Sequence, residues 1–199
     1  SLKHRKTDQP YMKWLFMAII VGLLVTINTF LGVYLIWYSA QIQFSIQSIL
    51  LLLDLACWTL FFFCLLNEPV NRKVLKAMFF FTISIALFLF YHNGKSQPNF
   101  HIVVLLNVCK TGFCVLYYQN IFKNVSGENI LTEPPFWVVS GVIFYSSLSL
   151  PFYGLNSYIR NEFPPLISNN IFSISNIFVI IMYIFFIKAH LCKTHPHKA

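Results

Sequence analysis

The chain has 199 residues, of which 57% are hydrophobic, 18% aromatic and 10% charged. Soluble domains carry about 25% charged residues, so this composition excludes a water-soluble globular class and points to a polytopic membrane protein without a separate soluble domain. The formal net charge of +8 sits in short basic clusters beside apolar runs, the pattern of membrane orientation signals and not of a nucleic-acid-binding surface.

Runs of about 20 apolar residues cross a bilayer as helices. Six such runs predict an all-α bundle in which 1–199 is one transmembrane domain. The first, about Lys13–Tyr38, follows the basic stretch "SLKHRKTDQPYMKW". It lacks a small-residue cleavage site and reads as a retained span, not a signal peptide. The sequence opens without Met, which leaves room for an upstream segment. A polar link, "SAQIQ", leads to the second span, about Phe44–Leu66, and the third follows at about Val74–Tyr91. The fourth is about His101–Phe122, the fifth about Pro135–Tyr158 and the sixth about Pro165–Ile187. The links "NEPVNRK", "HNGKSQPN", "NVSGENILTEPP" and "RNEFPP" have turn composition. The prolines at 134–135 and 164–165 suit a first helical turn.

Lys and Arg orient these spans. Eleven fall on one side: Lys3, Arg5, Lys6, Lys13, Arg72, Lys73, Lys76, Lys123, Lys188, Lys193 and Lys198. Only Lys95 and Arg160 fall on the other, which predicts that both termini are cytoplasmic. The Asn-Val-Ser triplet at 124–126 then lies on the cytoplasmic side and is not a glycosylation site.

Two ionisable residues, Asp54 and Lys110, lie deep within spans. The second and fourth helices run in the same direction, and each charge sits about 15 Å below the outer end of its helix at 1.5 Å per residue. Equal depth and opposite sign predict a midplane ion pair, because two unpaired charges there cost far more than one pair. Helical spacing puts Gln47, Asp54 and Cys57 on one face, and Asn107, Lys110, Cys114 and Tyr117 on another, so both faces are expected to point inward.

Other polar residues concentrate in the outer half: Asn28 and Thr29, Gln47, Ser147, Ser149, Tyr153 and Asn156, then Asn169, Ser173 and Asn176. This predicts an outward-facing polar cavity with the pair at its floor, lined by Asp54, Lys110, Gln47, Asn107, Asn28, Ser147, Asn169 and Asn176. The competing account is interhelical hydrogen bonding, worth about 0.6 kcal/mol per contact. Pro151 removes a donor to the Ser147 carbonyl and predicts a kink in the fifth helix. The five Cys show no paired spacing. His92 and His101, and the tail "HLCKTHPHKA", match no defined metal site. No HExxH, GxSxG or phosphate-loop pattern is present, so neither an enzyme nor a bound cofactor is expected.

The block "EPPFWVVSGVIFYSS", Glu133–Ser147, resembles a segment of small uncharacterised polytopic membrane proteins of gliding-type bacteria, often encoded beside sensor histidine kinases. There, a Pro-Phe-Trp opening precedes an aromatic-Ser pair in the same helix. The resemblance covers one helix and implies a sensory or signalling-accessory role in the bacterial inner membrane, with lipids and a sensor kinase as partners. Such proteins often look seven-spanned, whereas six spans are counted here. The alternative is a small-solute transporter or its membrane subunit.

Overall fold

The computed structural model describes residues 10–34, 40–93, 100–123, 130–155, 158–159, 162 and 165–194. Among these residues there are six α-helices and no strand: α1 (Pro10–Tyr34), α2 (Ala40–Leu65), α3 (Pro69–Asn93), α4 (Phe100–Lys123), α5 (Pro134–Gly154) and α6 (Pro165–Thr194). A short 3-10 turn, Ile130–Thr132, precedes α5. Helices α1 to α5 are each long and apolar enough to cross a membrane, as in a multi-pass membrane protein. The described apolar part of α6, Asn176–Cys192, is shorter.

Proline positions explain most departures from the expected boundaries. Pro69 opens α3 five residues ahead of the predicted start, since its fixed φ and missing N–H suit a first turn. The basic residues Arg72, Lys73 and Lys76 therefore lie on the helix itself. Pro134 opens α5 in the same way. Pro151 falls in the last turn of α5, and the helix ends at Gly154, short of the predicted Tyr158. There the Leu155 N–H closes on the Pro151 carbonyl at 2.9 Å. The proline thus lies within one turn of the end of α5. Helix α6 runs past the expected Ile187 to Thr194.

Only residues 66–68 separate α2 from α3, which forces the two antiparallel. Arg72 ties this link down. Its Nε donates to the Leu66 carbonyl at 2.6 Å, and its guanidinium lies 4.8 Å from the centre of the Phe63 ring. Lys76 approaches the same ring at 5.1 Å. Asn71 Nδ2 donates to Glu68 Oε2 at 2.9 Å, and Lys123 Nζ comes to 4.0 Å from the same oxygen. At the neighbouring helix ends, Trp137 Nε1 donates to the Leu131 carbonyl at 2.8 Å, while the Lys188 ammonium lies 3.6 Å above the Trp137 ring. Arg72 and Lys76 of α3, Lys123 of α4 and Lys188 of α6 thus make these contacts around the helix ends and links.

Next to this end lies an aromatic core. Phe61, Phe62 and Phe113 are completely buried. Trp58 meets Phe61 edge-on with centroids 5.5 Å apart and lies 6.2 Å from Phe186; Phe62 is 5.7 Å from Phe113, and Tyr11 reaches Phe61 at 6.0 Å. Helix α1 packs most closely on α2, α5 on α6, and α4 on α5. Gly141 allows the α5–α6 approach. A Cβ at this position would stand 2.9 Å from Phe185 Cβ and 3.1 Å from the Met182 carbonyl, and backbone cannot swing aside.

Gly141→Ala should therefore lower stability by about 1–3 kcal/mol. Gly22→Ala, where a Cβ meets nothing within 4 Å, should be neutral or slightly stabilising. Thermal unfolding in detergent, with both variants against the parent, checks the contrast.

Candidate functional site

Five helices each turn one stripe of residues toward a common space, and each stripe follows the helical period of three and four. From α2 come Leu51, Asp54 and Trp58; from α4, Val103, Leu106, Asn107 and Lys110. Helix α5 supplies Val142, Tyr145 and Ser146, and α6 supplies Val179, Met182, Tyr183 and Phe186. Helix α1 closes the circle with Ala18, Ile19, Gly22, Val25 and Thr26. The cavity between them has a volume of about 130 Å³.

Asp54 and Lys110 meet on its wall. Lys110 Nζ donates to Asp54 Oδ2 at 2.5 Å, and the two side chains are 11% and 9% exposed, lysine first. The expected pair is therefore formed, across 56 positions of sequence. Attraction between opposite charges is many times stronger in a low-dielectric interior than in water, but removing each ion from water costs several kcal/mol. The pair is the arrangement that makes both charges tolerable at this depth. Of the faces predicted to point inward, Asp54, Cys57, Asn107, Lys110, Cys114 and Tyr117 are buried and Gln47 is half-buried.

A second polar contact joins α4 to α5. Asn107 Nδ2 donates to Ser149 Oγ at 3.1 Å, and Ser149 Oγ in turn donates to the Ser146 carbonyl at 3.2 Å. Between two and three turns toward the basic end, Tyr118 and Ser140 hydroxyls lie 2.7 Å apart. On that side the cavity stops against Trp58 and Phe186, with Phe61, Phe62 and Phe113 packed behind them. Away from it, the wall continues to Thr26, Leu51, Val103 and Val179.

Of the residues expected to line such a cavity, Asp54, Lys110 and Asn107 do so. Gln47 is half-buried, one turn beyond Leu51, and Asn176 is exposed, one turn beyond Val179. Both lie on the right stripe, but the cavity stops a turn short of them. Asn28 is turned from the wall and donates to the Gln43 carbonyl at 3.4 Å. Ser147 is exposed. Successive helical residues point about 100° apart, so its neighbour Ser146 takes the inward place, in line with Val142 and Ser149. The side chain of Asn169 lies outside the described residues, as do those of Thr29, His92, Ser173 and Asn156.

Sequence reading missed Ser146, Tyr145, Tyr183 and Trp58. The signal for Ser146 was present, since it stands three residues before Ser149 and four after Val142. The aromatic residues carried none, being indistinguishable in pattern from core. Among the described residues, no group of three His, Cys, Asp or Glu side chains could hold a metal ion, and His101 is exposed. No protein-family model, curated protein or solved structure matches this chain.

Removing one partner of the pair strands the other. Asp54→Leu or Lys110→Met alone should each cost about 3–5 kcal/mol, and the combined variant far less than their sum, because a packed apolar pair of similar volume replaces a buried ion pair at little or no cost. A double-mutant cycle followed by thermal or denaturant unfolding in detergent measures this coupling.

Proposed function

We propose that this protein is a non-enzymatic, multi-pass sensor of the bacterial inner membrane, with both termini cytoplasmic, in which a small molecule entering the cavity from the outer side acts on the Asp54–Lys110 pair. One observation carries this reading: the ion pair stands on the wall of a cavity. A pair whose whole task is to fix helix register is served best by close packing on every side, since a neighbouring void forfeits the contacts of its lining. Placing charge on a void puts it where an incoming molecule meets it. Intramembrane charges at bundle interiors serve relays and ligand counter-ions in just such positions.

Orientation follows from charge. The eleven basic residues on one side favour that side as cytoplasmic. The aromatic layer of Phe61, Phe62 and Phe113 then lies between the cavity and the cytoplasm. Access from the outer side suits a sensor, whose signal must cross the membrane while the molecule does not. A signalling partner at the basic end, such as a sensor kinase, fits the same direction, with anionic lipid meeting the remaining basic side chains.

The second reading, a small-solute transporter, draws on the same mid-depth cavity. Against it, α2, α4 and α5 run unbroken through the level of the pair, whereas transport sites are commonly built on interrupted helices.

A deletion strain of the native host separates the two. On the sensory reading, deletion shifts a defined set of transcripts and the parent gene restores them, whereas the Asp54→Leu/Lys110→Met variant inserts to the same level and restores none. An unchanged transcript profile, with loss of uptake of a labelled small solute, would establish the transporter instead.

A further inference from the structure

The ion pair is incompletely satisfied, and what it lacks specifies what fits beside it. An ammonium offers three N–H donors and a carboxylate two oxygens with about four acceptor sites. Among the described residues one contact joins them, Lys110 Nζ to Asp54 Oδ2, and neither side chain has another hydrogen-bond partner there. Two ammonium N–H groups and Asp54 Oδ1 remain, on side chains about nine-tenths buried that line the cavity.

Ser146 adds a third unmet group. A hydroxyl within a helix ordinarily donates to the carbonyl four residues back. Thr26, Ser48, Thr59, Ser84, Thr111 and Ser140 all do so, at 2.7–3.0 Å. Ser146 forgoes that bond. Its Oγ is buried without a partner among the described residues, although the residue is on the cavity wall. An unmet polar group is costly, so the open sites on Lys110 and Asp54 call for a partner in the cavity, while the Ser146 hydroxyl, with no exposed surface, stands behind the wall.

Charge and size narrow that partner. The pair sums to zero, so an ionic guest would leave net charge at bilayer depth, which is disfavoured. The cavity, at about 130 Å³, compares with the roughly 150 Å³ cavity that accepts benzene, which suits a guest of about six non-hydrogen atoms. Within that size it must present an acceptor to Lys110 and a donor to Asp54 Oδ1, side by side. A primary carboxamide does both. The wall formed by Leu51, Leu106, Val142 and Met182 then covers a short hydrocarbon body.

Resting on the sensory reading of this cavity, we propose that its ligand is an uncharged short-chain carboxamide. The carbonyl accepts from the free Lys110 N–H groups, and the amide N–H donates to Asp54 Oδ1.

Isobutyramide is the probe, with ligand-observed saturation-transfer NMR on the full chain in deuterated detergent. The parent should bind it saturably. Losing the charged hydrogen bonds in Asp54→Leu/Lys110→Met should weaken binding by roughly tenfold or more, while 2,3-dimethylbutane, the same shape without polar groups, should gain affinity for that variant. Isobutyrate, the anionic counterpart, should not compete. Equal isobutyramide affinity in parent and variant would overturn the proposal, as would absence of saturable binding to the parent, which assigns the unmet groups to water alone. Competition by isobutyrate would overturn the neutral ligand class. Where the double variant does not fold, Gly22→Leu, which extends a side chain from the cavity wall, reads the same site: several-fold weaker binding supports the proposal and unchanged binding overturns it. No isobutyramide binding, combined with loss of transcript complementation, removes the ligand class and leaves the sensory reading standing. Binding with full complementation does the reverse.

Discussion

A carboxylate and an ammonium held 2.5 Å apart inside an apolar helical bundle constrain everything around them. Neither ion is tolerable there alone, so α2 and α4 must approach at one level and in one rotational setting. With Asp54 turned toward α4, the opposite face of α2, carrying Leu53 and Leu60, is exposed. With Lys110 turned toward α2, Asn107 points to α5 and meets Ser149. The polar contacts across the centre of the bundle follow from this single alignment, while the aromatic core toward the basic end supplies the apolar packing.

Two kinds of burial share the molecule. Toward the basic end, large rings fill the interior in edge-to-face and tilted pairs, the arrangement that ring quadrupoles favour. Around the pair the packing gives way to a cavity. Side chains that would fill it are small or short at several points, among them Ala18, Gly22 and Ser146. A chain with 22 Phe had the means to fill this space. It packs Phe61, Phe62 and Phe113 behind the wall instead.

Much of this was legible in the sequence. Six apolar runs gave the helices, and depth counting from their ends gave Lys110 as the partner of Asp54, because charge at bilayer depth leaves few choices. Boundaries were less legible. Pro69 and Pro134 start helices earlier than hydropathy suggests, since the first turn takes up basic and polar residues whose long side chains reach outward. The cavity wall was legible in rotation but not in length. Gln47 and Asn176 share stripes with Leu51 and Val179, yet the wall ends a turn before them, and no periodicity encodes where a stripe stops lining a void. Ser146 and Ser147 differ by one step of 100°, which adjacent identical residues conceal. The polarity of the half away from the basic end is therefore only partly the polarity of the cavity.

Helix α1 packs most closely on α2, while α5 holds both α4 and α6, with Gly141 setting the α5–α6 contact too close for even a methyl group. The cavity lies between these two assemblies, α1–α2 on one side and α4–α5–α6 on the other. Asp54 belongs to the first and Lys110 to the second. The ion pair is thus a clasp across the seam between them, beside α3, which packs on both α2 and α4, so whatever widens the seam also stretches the clasp.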